Sequence, residues 1–225
     1  MQIISTNIGQ PMTIEWRGQK VQTGIYKFSV DSAICLGDED VVNDHVLDRR
    51  YHGGIDKACY LYSADHYQFW QQKFPDLDWK WGMFGENLTV RGLNESEIYI
   101  GDIYQIGKAV VQVSQPRQPC FKLGVRFADQ SIVDAFWESA FPGVYVRVLQ
   151  KGNVKTGDQL ILIKPNSESL TISQVFSIFR SNRTNKDLIQ KAIDEPFLAD
   201  SCRTDIQKIL NRTQLDSSAP PIEAN

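Results

Sequence analysis

The grammar of this chain changes once, near residue 165, and that change constrains its fold more than any other feature. Before it, short runs rich in β-branched and aromatic residues recur, as at 12–16, 21–26 and 144–149. Glycine turns divide them: Arg17-Gly18-Gln19, Ile106-Gly107-Lys108 and Lys151-Gly152-Asn153. Gly-Asp stands twice ahead of a strand, at Gly101-Asp102 and Gly157-Asp158. Regularly spaced short strands predict a mainly β fold, a barrel or sandwich, rather than alternating strand–helix units. Two prolines, Pro116 and Pro119, are expected to end the strand that starts at Ala109, because proline cannot continue a central strand.

One helix interrupts the strands. Ser63 is placed to cap it, Tyr67, Trp70 and Phe74 fall at helical spacing, and Pro75 stops it. Such a stripe is expected to pack on the barrel. From Ser169 the pattern turns helical. Thr171 with Gln174 forms a capping box ahead of Val175, Phe176, Ile178 and Phe179. Thr184 with Asp187 opens a second helix carrying Leu188, Ile189, Ala192 and Ile193, which Pro196 ends. Ile206, Ile209 and Leu210 mark a third. Helices this short are marginal alone, so they must pack on one another and on the sheet. The expected organisation is a β-barrel domain over 1–165 and a three-helix C-terminal extension with a frayed tail over 166–225.

Charge and composition exclude several function classes. The 225 residues carry 24 Lys and Arg against 27 Asp and Glu, a formal net charge of −3. That balance argues against a nucleic-acid partner gripped through a basic face. No apolar run approaches the ~20 residues of a membrane span, and no secretory signal is visible, so no membrane partner and a cytoplasmic address are expected. The cysteines at 35, 59, 120 and 202 form no Cys-x-x-Cys and no zinc or iron–sulfur spacing, which predicts free thiols. No Gly-x-Gly-x-x-Gly, Walker loop or His-Glu-x-x-His is present. The acidic group Asp38, Glu39, Asp40 and Asp44 lacks the glycine of a calcium loop and is expected to be a solvated loop.

Three segments could carry chemistry. In 113–123 the two prolines stiffen a loop that presents Arg117 and Cys120, and a thiolate beside Arg and Lys suits a nucleophile or soft-metal ligand. A buried structural cysteine is the alternative, since free cysteine is often buried. In 51–58, Gly53 and Gly54 let backbone amides approach a ligand, and Lys57 could meet a phosphate, although such pairs commonly mark a plain turn. His52 is either a general acid or a structural hydrogen-bonder. In 81–90, Asn87 carries both donor and acceptor and suits a heterocycle edge, while Trp79, Trp81 and Phe84 are expected to pack.

Taken in order, His52-Gly53-Gly54 with Asp56-Lys57-Ala58, Phe84-Gly85-Glu86-Asn87-Leu88, Ile100-Gly101-Asp102 and Ser114-Gln115-Pro116-Arg117 through Pro119-Cys120 resemble the MOSC family. That domain also stands at the C-terminus of molybdenum cofactor sulfurases. The helical extension over 169–215 resembles its YiiM-like branch. The acidic stretch from Gly37 to Arg50 is longer than usual before His52. The resemblance implies a MOSC-type β-barrel holding a pterin-based molybdenum cofactor (molybdopterin), with Cys120 on the metal. It also implies reduction of N-hydroxylated compounds to amines, N-hydroxylated purines such as 6-hydroxylaminopurine being the expected small-molecule substrates. In that picture Cys120 and His52 are catalytic, and Arg117, Lys57, Asn87 and the Gly53-Gly54 amides hold the cofactor. With no nucleotide loop or cluster spacing of its own, the chain would take electrons from a separate flavin or iron–sulfur reductase. The rival functions are a cofactor or sulfur carrier using Cys120 without turnover and, more remotely, a Cys120–His52 hydrolase.

Overall fold

The structure is a computed structural model that describes residues 1–47 and 53–218, with side chains through 213. The strand-rich part holds β1 (Gln2–Gly9), β2 (Met12–Trp16), β3 (Gln19–Thr23), β4 (Lys27–Val30), β5 (Ile34–Leu36), β6 (Cys59–Ser63), β7 (Leu88–Arg91), β8 (Ile103–Ile106), β9 (Ala109–Pro116), β10 (Val144–Gln150), β11 (Gly152–Val154) and β12 (Leu160–Lys164). Among them lie α1 (Tyr67–Lys73), α2 (Phe121–Arg126) and α3 (Ser131–Ser139). The chain then forms α4 (Ile172–Ile178), α5 (Lys186–Asp194) and α6 (Asp200–Ser218).

Eight strands make one sheet in the order β12-β8-β9-β10-β6-β7-β1-β4, and β11-β5 and β2-β3 form two small antiparallel pairs. All ladders are antiparallel except β6 with β7, whose connection carries α1. The mainly β expectation holds, but no closed barrel is found among the described residues. The sheet instead curls until its ends nearly meet. Ile3 N–H donates to Asp158 O at 2.9 Å, Gly157 N–H to Ile3 O at 2.8 Å and Leu160 N–H to Met1 O at 3.0 Å. These bonds join β1, next to last in the sheet, to the approach of β12 at the other end, without a continuous ladder.

Pro116 corrects one expectation: β9 runs through it, paired with Val144. The physical reason is the length of β8, whose ladder with β9 ends at Gln112. Beyond that point the β8 side of β9 asks for no regular ladder donor, so a proline leaves no sheet bond unmade. The helix after Ser63 also starts differently. A 3-10 turn, Ala64–His66, precedes α1, and Ser63 makes no capping bond.

Two apolar clusters hold the molecule. One is aromatic: Tyr62, Trp70, Phe84 and Phe136 are fully buried, with the Tyr62 and Phe84 rings stacked at 4.3 Å. Trp79 and Trp81 pack at its margin, as expected. Each such ring contributes ~1.5–3 kcal/mol by burial alone. The other cluster runs without a break from the sheet (Ile100, Val111, Val113) into the helices (Ile172, Val175, Ile189, Ile206). Gly101 and Asp102 form the joint. Gly101 has φ +87, and an added Cβ would strike Phe197 and Asn166. Asp102 accepts from Tyr99 N–H at 3.0 Å and Asn166 N–H at 2.7 Å. The capping box on α4 is present, with Gln174 N–H donating to Thr171 Oγ1 at 3.1 Å and Thr171 N–H to Gln174 Oε1 at 2.9 Å. On α5 the cap is Asn185, one residue beyond Thr184, accepting from Leu188 N–H at 3.1 Å. No described helix is long and apolar enough to cross a membrane.

Candidate active site

Cys120 stands where β9 gives way to α2. Its backbone is extended (φ −132, ψ 169), and its carbonyl accepts from Leu123 N–H at 2.9 Å. The side chain is half-buried. The next residue, Phe121, stacks on Trp16 at 4.8 Å, so the β2–β3 hairpin braces the loop from outside. Stiff chain on one side and a helix on the other fix the thiol without any disulfide.

Beside it lies a cavity lined by Arg117, Lys27, Lys57, Lys122 and Asp44, with Gly53, Gly85, Asn87, Tyr60 and Tyr145. Among the described lining residues four side chains are cationic and one, Asp44, is a carboxylate paired with Lys27, a balance that suits the cavity to an anion. Arg117 is 5% exposed. Its guanidinium sits 5.3 Å from the Tyr60 ring centre and 5.1 Å from that of Phe136. Its Nη1 is buried and has no hydrogen-bond partner among the described residues. Burial opposes its charge, but Tyr60, Tyr145 and Cys120 nearby favour it, so it stays cationic. A buried guanidinium nitrogen without an acceptor costs ~1–3 kcal/mol, a cost a bound anion would remove.

The remaining expected residues fall around this cavity in different ways. Lys57 lines it at the end of a 3-10 turn, Ile55–Lys57, and burial pushes its pKa down. Asp56 holds that turn in place: it is ion-paired with Arg147, and its carbonyl accepts from Ser114 Oγ at 2.6 Å. Gly53 (φ +82) lines the cavity, and its missing Cβ makes room for Val46. Gly54 shares that φ, and an added Cβ there would meet open space, but it is not among the residues that line the cavity. Asn87 lines the cavity too, yet its amide is engaged within the protein. It donates to Asp44 Oδ2 at 2.9 Å and Asn7 O at 3.4 Å, and accepts from Tyr60 N–H at 3.3 Å. Its observed part is to hold the wall. His52 lies outside the described residues.

The acidic group needs a correction. Asp38 and Glu39 are exposed, but Asp44 is not a solvated loop residue, its side chain being 3% exposed. It forms an ion pair with Lys27 and accepts from Gly9 N–H at 2.6 Å. Sequence reasoning missed this pair, because nothing near Lys27 marks it and Asp44 is hidden in an acidic run. Tyr60 and Tyr145 were missed as well, being ordinary strand residues by composition. Glu86, buried at 0%, braces the neighbouring turn by accepting from Gly82 N–H (2.9 Å), Phe84 N–H (3.1 Å) and Thr89 Oγ1 (2.9 Å). Burial pushes its carboxyl pKa up, and hydrogen bonds from Tyr67, Gly82 and Thr89 pull it partly back.

The described residues hold no group of three or more His, Cys, Asp or Glu able to cage a metal ion. A MOSC domain family model matches residues 48–161, a span containing the glycine pair, Asn87, Arg117 and Cys120. The chain belongs to the MOSC family. Within it the likeness is to YiiM-like proteins. The crystal structure of YiiM from Geobacillus stearothermophilus superposes with a TM-score of 0.79 at 34% identity, covering 93% of this chain and 98% of that one. YflK of Bacillus subtilis is 38% identical over 93% of this chain and 95% of its own. A Gibberella moniliformis protein named a reductase is 30% identical over 80% of this chain, which spans only 32% of that protein. MOSC membership and that relative are consistent with a molybdenum-cofactor-associated function of oxidoreductase type.

Proposed function

We propose that this MOSC protein binds a molybdenum cofactor through Cys120 and reduces N-hydroxylated compounds, N-hydroxylated purines among them, to the parent amines. The observation that carries this is the pairing of a half-buried thiol with a buried guanidinium whose Nη1 has no acceptor among the described residues, in a cavity whose described lining also includes Lys57 and Lys122. That donor set fits the group: one soft ligand for the metal and concentrated positive charge for a phosphate. When bound, the cofactor supplies a two-electron redox centre able to accept the oxygen of an N–OH group.

The protein's own contributions follow from the geometry. Arg117, backed by Tyr60 and Phe136, holds an anionic end by charge-assisted bonding. Lys57 and Lys122 add charge at the same cavity, the Gly53 backbone lines it, and Gly54 next to it is assigned a backbone contact to the cofactor. The Lys27–Asp44–Asn87 set fixes the wall opposite solvent exposure by tying β1, β4 and the 82–87 turn together. His52 is assigned delivery of a proton to the departing oxygen, a role typically worth ~10²–10⁴-fold in rate. Balance requires two electrons and two protons for each N–OH converted to N–H and water. Those electrons are assigned to a separate flavin or iron–sulfur protein, since the sequence offers no nucleotide loop of its own.

Metal analysis tests the assignment. Protein purified from a cofactor-competent host should contain molybdenum, lose it in Cys120→Ser, and keep it in Cys35→Ser, Cys59→Ser and Cys202→Ser. Full occupancy in Cys120→Ser would refute Cys120 as ligand. Holoprotein that reduces nothing but gives up its cofactor to an apo-acceptor would be a carrier.

A further inference from the structure

Two cavities meet at Cys120. The charged one is small, about 80 Å³, with room for one end of a ligand. Its neighbour measures about 560 Å³, within the ~300–1,000 Å³ range of small-molecule pockets, and shares Lys57, Cys120, Lys122 and Tyr145 with it. Arg117 borders only the first.

The second cavity takes much of its wall from α6, outside the segment that the MOSC family model matches. Ser201, Thr204, Asp205 and Lys208 line it, and they recur at the spacing of a single helix face. Cys202, which also borders it, and Ile206 turn into the main core, at 1% and 0% exposure. The helix is tied down where it meets the cysteine loop's strand. Ala199 N–H donates to Ser114 O at 3.1 Å, and Ser201 Oγ donates to Gln115 Oε1 at 3.3 Å. Arg203 closes the preceding turn by donating to Glu195 O and Leu198 O, both at 2.9 Å. The lining offers two kinds of contact. Phe121 and Tyr145 supply ring faces, while Gln118, Thr204 and Asp205 supply a polar edge. The Asp205 carboxylate, with Lys208 Nζ at 2.8 Å, is an acceptor for a substrate N–H.

We propose that this second cavity is the substrate chamber and that α6 is its specificity wall, with Thr204 limiting ring size and Asp205 selecting flat heterocycles that carry ring N–H donors. This rests on the reductase function proposed above. The buried charge of the first cavity anchors the cofactor's anionic end, Cys120 stands at the junction, and α6 faces the incoming substrate.

The test uses full-length holoprotein and two variants, Thr204→Trp and Asp205→Asn. Binding of adenine, which has no N–OH to reduce, is measured by calorimetry. Turnover is measured with 6-hydroxylaminopurine and, in the wild type, also with hydroxylamine. Thr204→Trp should weaken adenine binding and raise KM for the purine at least about tenfold. It should leave molybdenum content within about twofold, because Thr204 borders only the second cavity and not the charged one. Asp205→Asn should lower kcat/KM for the purine by roughly tenfold through one lost charge-assisted bond, with molybdenum content retained. Adenine binding unchanged in both variants, or absent in the wild type, overturns the proposal. Molybdenum lost from Thr204→Trp also overturns it, since the chamber would then hold cofactor. A wild type that binds adenine in the chamber but reduces neither compound would sink the reductase function and leave the chamber standing.

Discussion

Replacing Arg117 by Met separates a structural guanidinium from an anchoring one. In the cofactor-free protein two effects oppose each other. The substitution removes cation–π contacts with Tyr60 and Phe136, at 5.3 and 5.1 Å, worth ~0.5–2 kcal/mol each. It also removes a buried donor, Nη1, which has no acceptor among the described residues, an absence that costs ~1–3 kcal/mol. Met keeps much of the packing volume, so the two sums nearly cancel and apo stability should move by less than about 2 kcal/mol. In the loaded protein the donor has its anion, and losing that contact costs ~1.5–3 kcal/mol, or roughly ten- to hundredfold in cofactor affinity. Urea unfolding of apoprotein, paired with molybdenum retained after long dialysis of holoprotein, reads both quantities. An unchanged molybdenum retention with a large loss of apo stability would make Arg117 a core residue and remove it from the site.

Three further outcomes are expected. Lys27→Met strands the Asp44 carboxylate in a site where only 3% of it is exposed, and should cost ~3–5 kcal/mol; Lys27→Met with Asp44→Asn should recover at least about 1.5 kcal/mol in denaturant melts, and strict additivity would contradict the pairing. Brief alkylation at neutral pH, followed by mass mapping, should label the half-buried Cys35 and Cys120 but spare Cys59 and Cys202, because burial shields both and pushes the Cys202 thiol up to about 12. A chain ended near residue 165 should still form its sheet but bind a hydrophobic dye and melt earlier, since Ile100, Val111 and Val113 lose their helical partners; a random-coil circular dichroism spectrum would mean that sheet and helices fold only as one unit.

Much of the fold was legible where a single residue type has one local use. Thr171 and Gln174 announced the start of α4 because a capping box satisfies two backbone donors at once, and both bonds are present. The Cys120 loop was legible for a similar reason, two prolines leaving few conformations for the residues between them. Thr184 misled by one residue: its spacing to Asp187 imitates a capping box, while the stronger capping residue, Asn185, stands next to it. Pro116 misled because whether a proline is tolerated depends on how far the adjacent strand runs, a fact that β9 itself does not carry. The site was legible in outline only. Cys120, Arg117 and Gly53 reach it from positions whose chemistry is uncommon, whereas Lys27 and Asp44 matter through a pairing that joins β4 to a distant loop. The second cavity was beyond sequence reading altogether, since it exists only where α6 docks against the loop after β9.

The central claim, that Cys120 holds a redox-active molybdenum centre acting on N–OH bonds, is tested most directly by a single-turnover measurement. Holoprotein is reduced with dithionite, freed of excess reductant and mixed anaerobically with 6-hydroxylaminopurine. The account predicts adenine at about one equivalent per molybdenum, from two electrons stored and two consumed, and none from Cys120→Ser. No adenine from fully loaded, fully reduced wild-type protein, or an equal yield from Cys120→Ser, would contradict it.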